Sequence, residues 1–177
     1  SMSMELFSMD YWEIFYPDHE SLRRARYEEL ERVLTIFPWI AIIDKFQHWL
    51  YTHPGHTKAE REQAWLAIHK AYSPASLNWD RLETYRARLW QKQLHLFEVP
   101  FYYIEYGIAQ LGALAMWQSY KQDASQTIQH YIEALRKGST MGLKDLYKEA
   151  GIAFDFSDEP VQRLCRFVQE EMQPLLS

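Results

Sequence analysis

The sequence predicts an all-α fold, a bundle of about eight helices. Apolar residues recur every three to four positions along most of the chain, and no long stretch alternates apolar and polar residues as a strand would. Prolines, glycines and capping residues divide this pattern into segments of helical length. Neither an internal repeat nor a low-complexity linker interrupts the 177 residues, so we expect residues 1–177 to form a single helical segment without an internal boundary.

Four helices are predicted in the first half of the chain. They cover residues 4–16, 19–51, 58–72 and 79–97. Pro17 ends the first helix, Pro100 follows the fourth, and Pro38 should kink or split the second, because proline lacks the N–H that the helix needs. Thr57 and Glu60 form a capping box for the third helix.

Four more helices are predicted in the second half. They cover residues 101–120, 124–136, 143–150 and the residues that follow Ser157. Asp123 caps the sixth helix and Gly138 ends it. Gly107 and Gly112, in the fifth, leave room for another helix to approach closely.

Charge and cysteine content exclude several classes of partner. The net charge is −5, and stretches such as SLRRARYEELERVL mix arginine with glutamate, which indicates a solvated helix face and no nucleic-acid partner. The longest apolar run, residues 36–43, contains Pro38 and is too short to span a membrane. The one cysteine, Cys165, is interpreted as a core thiol. A single cysteine allows no intramolecular disulfide, which indicates a reducing compartment. We therefore expect a soluble, cytoplasmic protein.

Most of the seven histidines have ordinary interpretations. His53 and His56 flank a Pro-Gly turn; a metal could bridge them, but a plain loop is favoured because no third ligand is near. His48 lies in an apolar stretch and is expected to be a hydrogen-bonded core residue. Three others should be solvated on helix surfaces: His19, His69 and His130.

His95 differs because three tyrosines follow it. On a helix, Tyr102 and Tyr106 are four positions apart and Tyr103 and Tyr106 three apart, so the phenols share one side. A phenol stays protonated at neutral pH, and two such donors aimed at one point could stabilise an oxyanion. On spacing alone, simple packing is the favoured interpretation.

A family resemblance changes that balance. The stretch HLFEVPFYYIEYGIAQLGALAMW, residues 95–117, resembles a signature of the oligoendopeptidase F branch of the thimet-oligopeptidase family of zinc metallopeptidases. FPWIAIIDKFQHWLYTHPGHT and ALRKGSTMGLKDLYKEAGIAFDFS resemble other segments of that family, so the resemblance covers nearly the whole chain. It implies the C-terminal part of a zincin-type catalytic domain that hydrolyses short peptides in a deep channel.

The resemblance also implies roles for the residues around His95. Tyr103 and Tyr106 would donate transition-state hydrogen bonds to the oxyanion, while His95 and Tyr102 would bind substrate; which two tyrosines face the metal stays open. The family's zinc is held by HExxH and a later glutamate, and neither is found here. SMSMEL resembles the residues just after that glutamate. We therefore expect zinc in the parent enzyme, none in this chain, and no activity from this chain alone.

The expected partners are short peptides and the missing N-terminal part of the catalytic domain. Helices that would pack against that part should expose apolar faces, near residues 4–15 and Tyr102, so we also expect self-association. The alternative from another class is a non-catalytic helical module that binds a peptide or protein through the same aromatic surface.

Overall fold

A computed structural model describes residues 1–176, and every regular element within them is helical. The α-helices of this described part are α1 (Met2–Ser8), α2 (His19–Thr52), α3 (Lys58–Tyr72), α4 (Glu83–Arg88), α5 (His95–Glu98), α6 (Ile104–Gln122), α7 (Ala124–Lys137), α8 (Leu143–Glu149) and α9 (Asp158–Met172). Three 3-10 segments accompany them, at Met9–Ile14, Leu89–Lys92 and Gln173–Leu175. The predicted all-α bundle is confirmed. Within residues 1–176, no helix has both the length and the apolar character that crossing a bilayer requires.

The chain forms two compact units. One comprises residues 1–34 with the chain from residue 108 onward, and the other comprises residues 35–107. The boundary falls inside α2 and inside α6, both of which are continuous, and not in a linker. The single segment without an internal boundary therefore stays a prediction.

Pro38 does not split α2, which runs unbroken for 34 residues. Because proline has no N–H, the carbonyl of Leu34 lacks its usual helical partner. The unit boundary lies between Leu34 and Thr35, at this weakened turn. Beyond Pro38, α2 packs against α3 through the contact of Phe46 with Trp65.

Aromatic side chains fill the core of the unit formed by residues 35–107. The buried core residues of this unit are Ile42, Ile43, Phe46, Trp65, Trp90 and Leu96. Trp65 is wholly buried, with ring centres 5.0 Å from Phe46 and 6.0 Å from Trp39 in edge-to-face contact. The high aromatic content thus serves packing first, because each ring buries a large apolar area.

The prediction of one continuous fourth helix over residues 79–97 is wrong. The structure breaks it into α4, the 3-10 segment Leu89–Lys92 and α5. Trp90 and Leu96 both enter the core, yet six positions on one helix would place them about 120° apart around its axis. The extended backbone at Gln93, with φ −90° and ψ 92°, turns both toward the same core.

Local capping signals are confirmed. Thr57 and Glu60 form the reciprocal capping box of α3, and the Asp123 carboxylate accepts a hydrogen bond from the Gln126 N–H at the start of α7. Ser157 is the N-cap residue of α9, although its side chain makes no capping hydrogen bond.

The two glycines of α6 do admit close neighbours. A Cβ at Gly112 would lie 2.5 Å from the Tyr147 hydroxyl oxygen, and that hydroxyl donates to the Ile108 carbonyl at 3.1 Å. A Cβ at Gly107 would lie 3.4 Å from the Cγ2 atom of Ile40. The small residues predicted to allow helix approach therefore do so.

Two histidine predictions are wrong. His48 is exposed, because it lies on the outer face of α2 within 3.6 Å of Asp44. His69 is buried, at 4 % exposure, and its Nδ1 atom accepts a hydrogen bond from the Arg86 guanidinium at 3.3 Å. His19 is exposed, in line with its prediction, and His130 is half-buried.

His69 should make folding stability depend on pH. Burial lowers the pKa of His69, and the positive charges of Arg86 and Lys92 lower it further. The folded state therefore favours the neutral ring, so this stability is fully present above the unfolded-state pKa of about 6.5 and is lost as pH falls below it. Between pH 7.5 and 5.5, we expect the free energy of unfolding to fall more steeply in the wild type than in His69→Gln.

The limiting slope from one such proton is about 1.4 kcal/mol per pH unit. Urea unfolding at a series of pH values measures it, with the exposed His19→Gln as the matched control. Equal pH dependence in the wild type and His69→Gln would contradict the assignment.

Cys165 is half-buried on α9, and burial raises the pKa of its thiol. A raised pKa keeps the thiol protonated and poorly nucleophilic. These observations support its interpretation as a packing residue.

Candidate active site

The structure brings His95 and the three tyrosines into one cluster. The His95 ring centre lies 6.2 Å from that of Tyr102, 5.0 Å from Tyr103 and 5.5 Å from Tyr106. Tyr106 is also 5.7 Å from Tyr102 and 5.3 Å from Tyr103. The four side chains that the sequence singled out therefore meet in one place, as the spacing of the phenols and the family resemblance predicted.

The helical basis for that clustering is wrong for two of the tyrosines. Tyr102 and Tyr103 lie in the turn before α6, which begins at Ile104 and not near Phe101. Only Tyr106 is on the helix itself. The turn, and not helical spacing, aims the other two rings.

Phe101 sets the direction of this turn. Its φ of +58° is in the left-handed region, which costs a bulky residue on the order of 1–2 kcal/mol. The Phe101 N–H donates to the buried Gln47 side-chain oxygen at 2.9 Å, and its ring packs 4.8 Å from His48 and 5.0 Å from Tyr51. Helix α2 thus holds the strained residue in place. Strain of this kind is often found at functional sites.

A hydrogen-bond network runs through the cluster. The Trp39 indole N–H donates to the Gln93 side-chain oxygen at 3.1 Å, and the Gln93 amide nitrogen lies 2.7 Å from His95 Nδ1. His95 Nε2 is in turn 3.1 Å from the Tyr106 hydroxyl oxygen. Sequence reasoning missed Gln47, Trp39 and Gln93. No motif marks them; the only signal was a glutamine inside the apolar stretch FQHWLY.

The environment keeps Tyr103 in its donor form. Burial raises the pKa of Tyr103, a hydrogen bond with Trp39 partly offsets that rise, and the nearby Tyr106 adds to it. The phenol is therefore protonated at neutral pH and can donate a hydrogen bond. Tyr102 is half-exposed, so its ring offers a contact surface next to these donors.

No metal centre is formed by the part of the chain that the structure describes. Residues 1–176 contain no group of three His, Cys, Asp or Glu side chains placed to hold a metal ion. His53 Nδ1 lies 2.9 Å from the Trp49 carbonyl at the end of α2, and His56 Nδ1 contacts the His53 carbonyl, so each ring bonds to nearby backbone. The residues present do not fit a zinc site, and the cluster's chemistry is that of hydrogen-bond donors and ring surfaces.

An apolar cavity lies among α6, α7 and α8 and contains none of the four clustered side chains. Its walls include Ala113, Met116, Leu135 and Leu146. Most of the lining is apolar, although Ser3, Tyr131 and Tyr147 also contribute hydroxyl-bearing side chains.

Comparison with known proteins decides the family. The model of peptidase family M3 matches residues 1–165. The chain belongs to peptidase family M3. The resemblance predicted from residues 95–117 is therefore confirmed, together with the helical fold that it implied.

Solved structures of two relatives superimpose closely on the chain. A protein described as an oligoendopeptidase F shares 32% identity over 97% of this chain, with a TM-score of 0.83. PZ peptidase A, solved with an inhibitor, shares 30% identity over 98%, with a TM-score of 0.85. A protein described as an oligoendopeptidase F from Bacillus anthracis strain Ames shares the fold at 24% identity and a TM-score of 0.76.

The chain spans only about a third of these relatives: 30% of the first structure and 31% of PZ peptidase A. No curated protein sequence matches it significantly. Membership of the family thus comes from the family model and the solved structures.

Proposed function

We propose that this chain is the C-terminal, substrate-side portion of a zinc metalloendopeptidase that hydrolyses short peptides. The observation that carries the proposal is the cluster of His95, Tyr102, Tyr103 and Tyr106 in a chain of peptidase family M3. The chain matches only about 30% of the length of these relatives. This supports the proposal that it works together with a further region, the N-terminal part of the catalytic domain.

The proposed roles follow from what each side chain can donate. Hydrolysis of a peptide places negative charge on the former carbonyl oxygen, and an O–H donor positioned in advance stabilises that charge. Tyr103 and Tyr106 are proposed as these donors, since their ring centres lie 5.3 Å apart in edge-to-face contact. His95 and Tyr102 are proposed to hold the peptide.

The proposal assigns no metal chemistry to this chain. The described residues offer no three-ligand group, and HExxH and the later glutamate belong, by the resemblance, to another part of the parent enzyme. The chain is therefore proposed to be inactive alone. Tight zinc binding with metal-dependent peptide cleavage by the purified chain would contradict this.

Tyr102 offers a test of the substrate-binding role. Its ring stacks on His95 with an angle of 13° between the planes, and about half of its surface is exposed. In the complete peptidase, Tyr102→Ala should raise KM about three- to tenfold with little change in kcat, because an aromatic contact of about 1 kcal/mol is lost.

Steady-state cleavage of a quenched fluorescent peptide measures both constants. Tyr85→Ala is the matched control, because Tyr85 is exposed on α4 and outside the cluster. An unchanged KM in Tyr102→Ala would remove Tyr102 from the substrate site.

A further proposal concerns the isolated chain. Ile14 and Phe15 are largely exposed, as is Leu94, and we propose that such surfaces drive self-association when the N-terminal part is absent.

A cytoplasmic location is proposed from the single cysteine, Cys165.

A further inference from the structure

His95 stands between two hydrogen-bonding groups, and its tautomer decides what Tyr106 can do. Nδ1 lies 2.7 Å from the Gln93 amide nitrogen and Nε2 lies 3.1 Å from the Tyr106 hydroxyl oxygen. A neutral imidazole has one N–H donor and one acceptor. With the proton on Nδ1, the Tyr106 hydroxyl would have to donate to His95; with the proton on Nε2, the hydroxyl oxygen accepts.

Trp39 fixes the orientation of the Gln93 amide. An indole N–H can only donate, and it lies 3.1 Å from the Gln93 side-chain oxygen. The rotated amide would place its NH₂ group against the indole N–H, leaving two donors facing each other. The amide oxygen must therefore face Trp39, and the NH₂ group must face His95.

Trp39 is itself held by its surroundings. Its ring packs edge-on against Trp65 at 6.0 Å and His69 at 6.5 Å, and the Lys92 ammonium lies 4.5 Å from its ring centre. These contacts hold the indole in place, so its N–H stays directed at the Gln93 side-chain oxygen.

We propose that Trp39 and Gln93 are positioning residues that fix His95 in its Nε2–H tautomer. Gln93 donates to Nδ1, so the ring proton sits on Nε2 and is donated to the Tyr106 oxygen. Within the described residues, the Tyr106 hydroxyl has no other hydrogen bond in the network, so its own proton stays available. That proton is the one offered to the peptide oxygen, a last step that rests on the proposed function.

The tautomer can be observed directly in this chain. Long-range ¹H–¹⁵N correlation spectra distinguish the protonated from the unprotonated nitrogen of each imidazole, and the His95 signals are assigned by their loss in His95→Gln. We expect Nδ1 of His95 to be unprotonated and Nε2 to be protonated. A wild-type spectrum with the proton on Nδ1 would overturn the proposal, and the tautomer is measured on the unsubstituted chain, since His95→Gln serves only to assign the signals.

Gln93→Glu is the sharpest perturbation. A carboxylate has nearly the same shape, still accepts from Trp39, but can no longer donate to His95. The proton should therefore move to Nδ1, which faces the carboxylate. Gln91→Glu is the matched control, because it makes the same charge change at an exposed position two residues earlier, in the 3-10 segment that ends just before Gln93. An unchanged His95 tautomer in Gln93→Glu would overturn the proposal.

Activity separates this proposal from the proposed function. In the complete peptidase, Gln93→Glu should lower kcat about 10- to 100-fold with little change in KM, as when a residue that orients a histidine is lost. Gln91→Glu should leave kcat unchanged. A tautomer switch without any loss of kcat would contradict the donor role of Tyr106 while leaving the positioning role intact. A loss of kcat without a tautomer switch would contradict the positioning role.

Discussion

Replacing Tyr106 with phenylalanine in the complete peptidase should lower kcat by about two to three orders of magnitude, the cost of losing one oxyanion donor. Phenylalanine keeps the ring contacts with His95, Tyr102 and Tyr103 and removes only the hydroxyl. Metal content should stay unchanged, because no described residue of this cluster belongs to a metal-binding group. Steady-state peptide cleavage and elemental analysis of the same preparation measure both quantities.

The matched control for this replacement is Tyr85→Phe, which removes a hydroxyl at an exposed position of α4. Its kcat should equal that of the wild type. If Tyr106→Phe also turned over at the wild-type rate, Tyr106 would have no part in the chemistry. A non-catalytic module that only binds peptides would show no such dependence, so the same result separates the two functional alternatives.

Replacing Trp65 with alanine should lower the free energy of unfolding by about 3–5 kcal/mol, the range for deleting a buried aromatic side chain. Trp65 is wholly buried, and its indole N–H donates to the Arg86 carbonyl at 2.7 Å. Alanine would leave a cavity beside Phe46 and remove one of the donors to that carbonyl, which also accepts a hydrogen bond from the Leu89 N–H. The ring also supports Trp39, so the hydrogen bond from Trp39 to Gln93 should weaken with it.

Equilibrium urea unfolding of the chain measures this loss. Trp65→Phe provides a graded comparison, because it keeps most of the ring volume and loses the hydrogen bond to Arg86. We expect its cost to be about half that of alanine or less. A loss below about 1 kcal/mol for Trp65→Ala would mean that Trp65 does not anchor this core.

Helix starts were predictable where their signals are local. The capping box of Thr57 and Glu60 and the Asp123 cap each lie within four residues of the helix that they begin. The break between α4 and α5 was not predictable in this way. It arises because Trp90 and Leu96 share one core with residues of α2 and α3, and no local pattern reports that requirement.

The candidate site shows the same division. The phenols and His95 were identified from spacing and resemblance, but their placement depends on residues far away in sequence. Gln47 holds the positive-φ backbone of Phe101 from 54 positions earlier, and Trp39 reaches Gln93 over the same separation. A single glutamine or tryptophan in an apolar stretch is ambiguous until its partner is known.

Affinity for a transition-state analogue tests the central claim most directly. A phosphinic peptide mimics the charged tetrahedral species, whereas a peptide with an uncleavable bond mimics only the substrate. In the complete peptidase, Tyr106→Phe should lower the affinity for the phosphinic peptide by about 100-fold and the affinity for the uncleavable peptide by about threefold or less. If the substitution lowered both affinities equally, or changed neither, this would contradict the claim that the chain supplies an oxyanion donor.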